Sequence, residues 1–180
     1  MNEDIKFLSI NVAVVTISDT RTLENDKSGD VLEKRIKQAG HIVLAREIVQ
    51  DEFKKISSLF SNLIKDKKID VIISTGGTGL TGRDITPEVM ETLFEKSIDG
   101  FGEMFRWMSY KKIGTSALQS RALAGVANGT YIFCLPGSPS ACRDGWDDIL
   151  VHQLDIRHKP CNFVEIMPRL QEHKHFRTKN

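Results

Sequence analysis

The sequence predicts an α/β protein: an open, mainly parallel sheet with helices on both faces, in three layers. Three observations lead there. Runs rich in β-branched residues are apolar on both faces, as strands covered from two sides must be. These runs alternate with segments whose apolar residues recur at helical spacing, the order expected of a parallel sheet with crossover helices. A glycine-rich segment also follows one buried strand directly, at the carboxyl edge where such sheets bind ligands.

The elements follow in order. Ile10-Asn11-Val12-Ala13-Val14-Val15-Thr16-Ile17 reads as a central strand. A polar stretch from Ser18 to Lys27 leads to a helix from Ser28, with Leu32, Ile36 and Ala39 on one side and Gly40 as a left-handed stop. His41 to Val49 is a second strand. Asp51 opens a helix that places Phe53, Ile56, Phe60, Leu63 and Ile64 at helical spacing. Asp70 to Thr75 is a third strand, short and apolar, and Gly76–Gly82 follows it. Thr86-Pro87-Glu88 starts a helix with a hydroxyl cap, a first-turn proline and a first-turn acid.

A further helix is expected over Phe101–Met108. Its Phe101, Phe105, Arg106 and Trp107 read as core or subunit interface rather than a ligand platform, as does Trp146. Small residues dominate from Lys111 to Asn128 and leave that stretch unassigned. Tyr131 to Leu135 is a strand ended by Pro136-Gly137-Ser138-Pro139, and Ser138 with Pro139 can cap a helix reaching about Leu154. Residues 1–168 therefore read as one domain, without repeat or linker. From Arg169 the chain is polar and basic and reads as a frayed tail.

Bulk properties narrow the function. A chain of 180 residues can bury about 70% of its unfolded surface, enough for a core without disulfides. With 25 basic against 24 acidic residues it lacks the broad positive field of a nucleic-acid binder, though a local phosphate pocket is compatible with that balance. Asn2-Glu3-Asp4 is acidic where a signal peptide is positive, and no apolar run nears the ~20 residues that cross a bilayer. A cytoplasmic protein without membrane or nucleic-acid partners is expected. Cys134, Cys142 and Cys161 form no CxxC pair and read as reduced structural thiols, while His173 and His175 sit in the polar tail and suggest no metal site.

The glycine loop carries the chemistry. Gly77-Thr78-Gly79-Leu80-Thr81-Gly82 satisfies the letters of GxGxxG, but no following strand supplies the ribose-binding acid of a dinucleotide site. Gly82-Arg83-Asp84 stands where a Walker A loop needs lysine and a magnesium-binding hydroxyl, so that reading fails as well. What remains is a turn of Thr75, Gly76, Gly77, Thr78 and Gly79 whose backbone amides can form an anion nest; the plainer alternative is a chain reversal. Asp84, just beyond, would repel an anion unless a cation lay between them. Asp51 is a second acid at the same edge. Magnesium takes one or two carboxylates beside phosphate oxygens, which suits the pair, although Asp51 alone also reads as an N-cap and Asp84 as a loop acid.

Ile72-Ile73-Ser74-Thr75-Gly76-Gly77-Thr78-Gly79 followed by Arg83-Asp84-Ile85-Thr86-Pro87-Glu88 resembles the signature of the MoaB/MogA family of molybdenum cofactor biosynthesis, to which the G domain of gephyrin also belongs. Gly114-Thr115-Ser116-Ala117-Leu118-Gln119-Ser120-Arg121, Pro136-Gly137-Ser138 and Pro160-Cys161-Asn162-Phe163 resemble later family segments, the last its MoaB branch, so the likeness spans residues 10–168. The resemblance implies a molybdopterin-binding fold, homotrimers or homohexamers, and magnesium- and ATP-dependent transfer of AMP to molybdopterin. It maps the family's two aspartates onto Asp51 and Asp84, as magnesium-holding catalytic residues. It implies that Thr75, Gly76, Gly77, Thr78 and Gly79 steady a phosphate group and that Ser120 contacts the pterin phosphate. Ser138 is either a further donor or a plain cap. A pterin carrier without turnover is the alternative function.

Overall fold

The computed structural model describes residues 5–176, with side chains up to Lys174; Asn2–Asp4, the side chain of His175 and the end of the tail lie outside the described residues. Six strands form one sheet: β1 (Asn11–Ile17), β2 (Ile42–Val49), β3 (Val71–Thr75), β4 (Lys96–Ser97), β5 (Leu123–Ala127) and β6 (Thr130–Leu135), in the order β2-β1-β3-β6-β5-β4. The first four in that order are parallel, and β5 and β4 join by antiparallel pairing. The sheet is thus mixed, as well as mainly parallel, because the unassigned stretch before Asn128 holds β5. Asn128 and Gly129, both at positive φ, turn that strand directly into β6.

Side chains alternate between the faces of a strand, and the core divides accordingly. Val12, Val14, Val71, Ile73 and Phe133 pack against Leu32 and Ile36 of α1 (Lys27–Gln38), Phe101 and Phe105 of α4 (Asp99–Ile113), and Cys142 and Trp146. Ala13, Val15, Ile72 and Ile132 face Ile56 and Phe60 of α2 (Phe53–Lys65) and Val89 and Met90 of α3 (Thr86–Leu93). This is the three-layer arrangement expected from the sequence.

Several local expectations need correction. The α2 helix is capped at Glu52 with no side-chain bond, so Asp51 is not an N-cap side chain. Thr86 does not cap α3; it lies inside the helix, and its hydroxyl donates to the Gly76 carbonyl at 3.0 Å. The α4 helix runs beyond Met108 to Ile113, ending where Gly114 takes φ +60°. Of the core or subunit interface expected for it, Trp107 on α4 is not in the core, being 60% exposed with the Lys111 ammonium over its ring at 3.4 Å. As expected, Ser138 caps α5 (Pro139–Gly145), which continues through a π-type turn at Trp146–Leu150 into α6 (Val151–Gln153). After α7 (Phe163–Ile166), the segment from Arg169 is not simply frayed: Gln171 and Lys174 bond Asn128 at the β5–β6 turn, and Glu172–Phe176 forms α8.

The pairing register brings four strand ends level. Thr16 pairs with Thr75, Thr75 with Leu135, and Ile17 with Val49. The loops after β1, β2, β3 and β6 therefore leave the sheet side by side. No helix among the described residues is long and apolar enough to cross a membrane.

Candidate functional site

A cleft of about 740 Å³ opens at this edge, lined by all four loops and by the inner side of α4. Every site residue singled out in the sequence lies along it: Asp51, Thr75, Gly76, Gly77, Thr78, Gly79, Asp84, Ser120 and Ser138.

The glycine turn has its shape for steric reasons. Gly76 and Gly77 both adopt positive φ, +105° and +64°. A Cβ on Gly77 would collide with the Thr86 hydroxyl and stand 2.8 Å from Asp51 Oδ1. The turn is then tied down on every side. The Gly76 amide donates to the Leu135 carbonyl at 3.0 Å, and the Gly77 carbonyl accepts from the Thr86 amide at 3.0 Å. The Thr75 hydroxyl donates to the Pro136 carbonyl at 2.9 Å and accepts from the Cys142 thiol.

These bonds narrow the expected anion nest. The Gly76 amide is already used, and the Gly79 amide points to the Asp84 carboxylate. Among the described residues, the amides of Gly77 and Thr78 are left without a protein acceptor. The Thr75 hydroxyl, committed to Pro136, holds two loops together rather than facing a ligand.

The two aspartates share the cleft but differ in environment. Asp84 Oδ2 accepts from the Thr81 hydroxyl at 2.6 Å and the Thr81 amide at 2.9 Å. Partial burial pushes its pKa up, but these bonds, the Gly79 amide and the Arg121 charge outweigh that and hold it below the ordinary carboxylate value. Asp51 has no such support. Its Oδ1 is buried and without a hydrogen-bond partner among the described residues. Burial, then the negative charges of Asp19 and Asp84, push its pKa up, with Arg83 opposing. Two carboxylates near enough to repel, one of them with an orphaned oxygen, form a donor set that suits a hard divalent cation taking few protein ligands.

Ser138 Oγ accepts from the Ala141 amide at 3.1 Å, so its capping role is met without a ligand. Ser120 Oγ accepts from the Ala122 amide at 3.3 Å while facing the cleft. Sequence reasoning missed three further residues. Asp26, 1% exposed, accepts from the Thr16 hydroxyl and the Gly29 amide and starts α1; its place before an apolar run was a readable cap signal. Asp19 gave no such signal, and Arg121, although it ends a family-like segment, carried no sign of its role, because their partners lie far along the chain. Cys134 and Cys142 are buried and Cys161 exposed, all as free thiols.

Comparison with known proteins agrees with this architecture. The family model described as "Probable molybdopterin binding domain" matches residues 13–156. Molybdenum cofactor biosynthesis protein B of Escherichia coli K12 is 46% identical over 158 residues, covering 88% of this chain and 93% of that protein. A crystal structure of molybdenum cofactor biosynthesis protein B is similar with a TM-score of 0.83 at 38% identity, covering 92% of this chain and 98% of its own. The molybdopterin biosynthesis enzyme MoaB from Thermus thermophilus gives 0.71 at 31% identity, covering 78% and 89%. On its sheet order, its glycine-turn cleft and these matches, this chain belongs to the family of molybdopterin-binding-domain proteins of molybdenum cofactor biosynthesis.

Proposed function

We propose that this chain transfers AMP from ATP to the terminal phosphate of molybdopterin and releases pyrophosphate, with Asp51 and Asp84 holding a magnesium ion. The observation that carries this reading is the buried, unpartnered Oδ1 of Asp51, in the same cleft as Asp84 and beside the glycine turn. An ionised carboxyl kept in that state costs stability unless a cation satisfies it.

In the reaction a phosphate oxygen of the pterin forms a bond to the α-phosphorus of ATP. The bond from that phosphorus to the oxygen bridging the β-phosphate breaks, and pyrophosphate leaves with the electron pair. Such a transfer requires alignment and charge neutralisation more than covalent help from the protein. Magnesium, when bound, supplies positive charge against the phosphate oxygens. The free amides of Gly77 and Thr78 donate to one phosphate group, and Ser120 contacts the pterin phosphate. Ser138 stays available as a second acceptor or donor beyond its cap.

Assembly belongs to the same reading. Met104, Trp107 and Tyr110 are exposed apolar side chains on α4, with Leu118 beyond it. Such side chains suit burial against further copies of the chain, in a trimer or hexamer.

The test is to incubate the protein with molybdopterin, ATP and Mg²⁺ and follow adenylated pterin. Turnover is expected, and loss of it in Asp84→Asn and Asp51→Asn with folding retained. Rates unchanged from the wild type in both variants would refute the roles assigned. Tight pterin binding without product in the wild type would select a carrier instead.

A further inference from the structure

Arg121 lies on the link between a 3₁₀ turn (Gly114–Gln119) and β5, far in sequence from the glycine loop. Its side chain nevertheless grips both ends of that loop. Nε donates to the Gly79 carbonyl at 2.7 Å, Nη2 to the Asp84 carbonyl at 2.7 Å, and Nη1 to the Glu88 carboxylate on α3. The backbone amide of Arg121 adds a bond to the Thr78 carbonyl at 3.1 Å. All three nitrogens of the guanidinium are engaged by protein. It is therefore committed to the loop, where an arginine beside a phosphate site would ordinarily be read as a substrate contact.

The grip has a geometric consequence. A guanidinium is rigid and planar, so carbonyls bound to Nε and Nη2 are held at a set separation. Those carbonyls belong to the first and last residues of 79–84, the segment that carries Asp84. The segment is closed inside by Thr81, whose amide and hydroxyl hold Asp84 Oδ2. The carboxylate also sits tightly over Gly79, where a Cβ would stand 2.7 Å from Oδ2. Displacing either carbonyl would move the carboxylate relative to Asp51.

We propose that Arg121 is a positioning residue: by clamping the Gly79 and Asp84 carbonyls, it sets where the Asp84 carboxylate stands in the cleft. Its importance to catalysis rests on the adenylyl-transfer reading, whereas the clamp itself does not. Lysine cannot replace it, since a single ammonium lacks the planar fork. The charge would survive and the geometry would not.

The test uses the full chain and its Arg121→Lys and Arg121→Met variants. Three quantities are read: backbone order of residues 79–84 by ¹⁵N relaxation, Mn²⁺ binding in the presence of ATP by electron paramagnetic resonance, and kcat and KM separately. In Arg121→Lys the expected result is an order parameter falling from about 0.85 toward 0.6 in residues 79–84 alone. Mn²⁺ binding should weaken about tenfold and kcat fall about 10- to 100-fold, as small misplacements do, with KM for molybdopterin little changed. A rise in KM with kcat intact would overturn the proposal, because Arg121 would then be a substrate contact. Unchanged loop order in Arg121→Lys would also overturn it, whether or not the wild type turns over. If the wild type neither binds Mn²⁺ with ATP nor makes product, the adenylyl-transfer reading fails, and loop order still decides the clamp. Should Arg121→Met not fold, Arg121→Lys carries the test.

Discussion

Arg83 and Asp19 join the loop after β3 to the loop after β1. The arginine Nη2 and Nε both donate to Asp19 Oδ2, at 2.7 and 3.1 Å, while Asp19 Oδ1 accepts from the backbone amide of Asp51 at 3.2 Å. One carboxylate thus couples the loop after β1 to the loop carrying Asp84 and to the loop carrying Asp51. Both partners face solvent, so the pair is screened and adds little to stability. Asp19→Asn should therefore leave the melting temperature essentially unchanged. It should lower kcat/KM about tenfold, through a less well-held Asp51 and a released Arg83 cation beside it. A thermal melt and steady-state kinetics on one preparation would check this, and a large drop in melting temperature with intact kinetics would contradict it.

Asp51 is expected to trade stability for function. Its folded pKa is raised, so its stabilising contribution is complete below the unfolded carboxylate pKa and is lost as pH rises through the folded value. At neutral pH the ionised group is a burden. Asp51→Asn leaves a polar atom in place but removes its charge, and should raise stability by about 1 kcal/mol, or roughly 2–4 °C in melting temperature. The same variant should lose turnover. In the wild type, kcat/KM should decline on the acid side at a pH above the ordinary aspartate value, because Asp51 must be ionised to hold a cation.

His41 predicts a second pH effect, remote from the cleft. The ring is buried between Phe7 and Trp146, and its Nδ1 accepts from the Ile10 amide at 3.4 Å, which requires the neutral form. Burial pushes its pKa down, partly offset by the Asp155 charge, which is itself paired with Arg157. The unfolded chain then binds the proton more readily than the folded one. Stability should be full above about pH 6.5, the unfolded histidine value, and fall as pH drops below it. Melting temperatures measured near neutrality and about two pH units lower should differ more in the wild type than in His41→Gln.

Gly77→Ala tests the turn itself. At φ +64° an L-residue is strained, and the new methyl would meet Thr86 and Asp51. A loss of about 1–3 kcal/mol is expected, with turnover falling further than stability alone explains. Chemical denaturation and activity at a temperature well below the melt would separate the two effects.

The layers of the fold were legible because each depends on a local pattern. The Val12–Ile17 and Val71–Thr75 runs, and the apolar stripe of Ile56, Phe60, Leu63 and Ile64, specify their own elements, and burial of those patterns leaves few ways to stack them. The stretch before Asn128 was less readable, since Leu123–Ala127 is small and short, although Asn128-Gly129 carries a hairpin signal. At the site, Asp51, Asp84 and the glycine turn stood out by residue type and by position after a strand.

Residue order alone dictates the alternation of strands and helices, the edge at which a ligand binds, and the acids and glycines placed there. These follow from periodicity and from backbone freedom, which neighbouring residues impose on one another. Which amides remain free emerges only on folding. So does the contrast between Asp51, whose Oδ1 is buried without a partner, and Asp84, which Thr81 holds, and so does the binding of the loops by Arg121 and Asp19. Those relations mostly join residues tens of positions apart. Hydrogen-bond satisfaction between them is set by where the packed sheet brings the loops, a quantity no local pattern encodes.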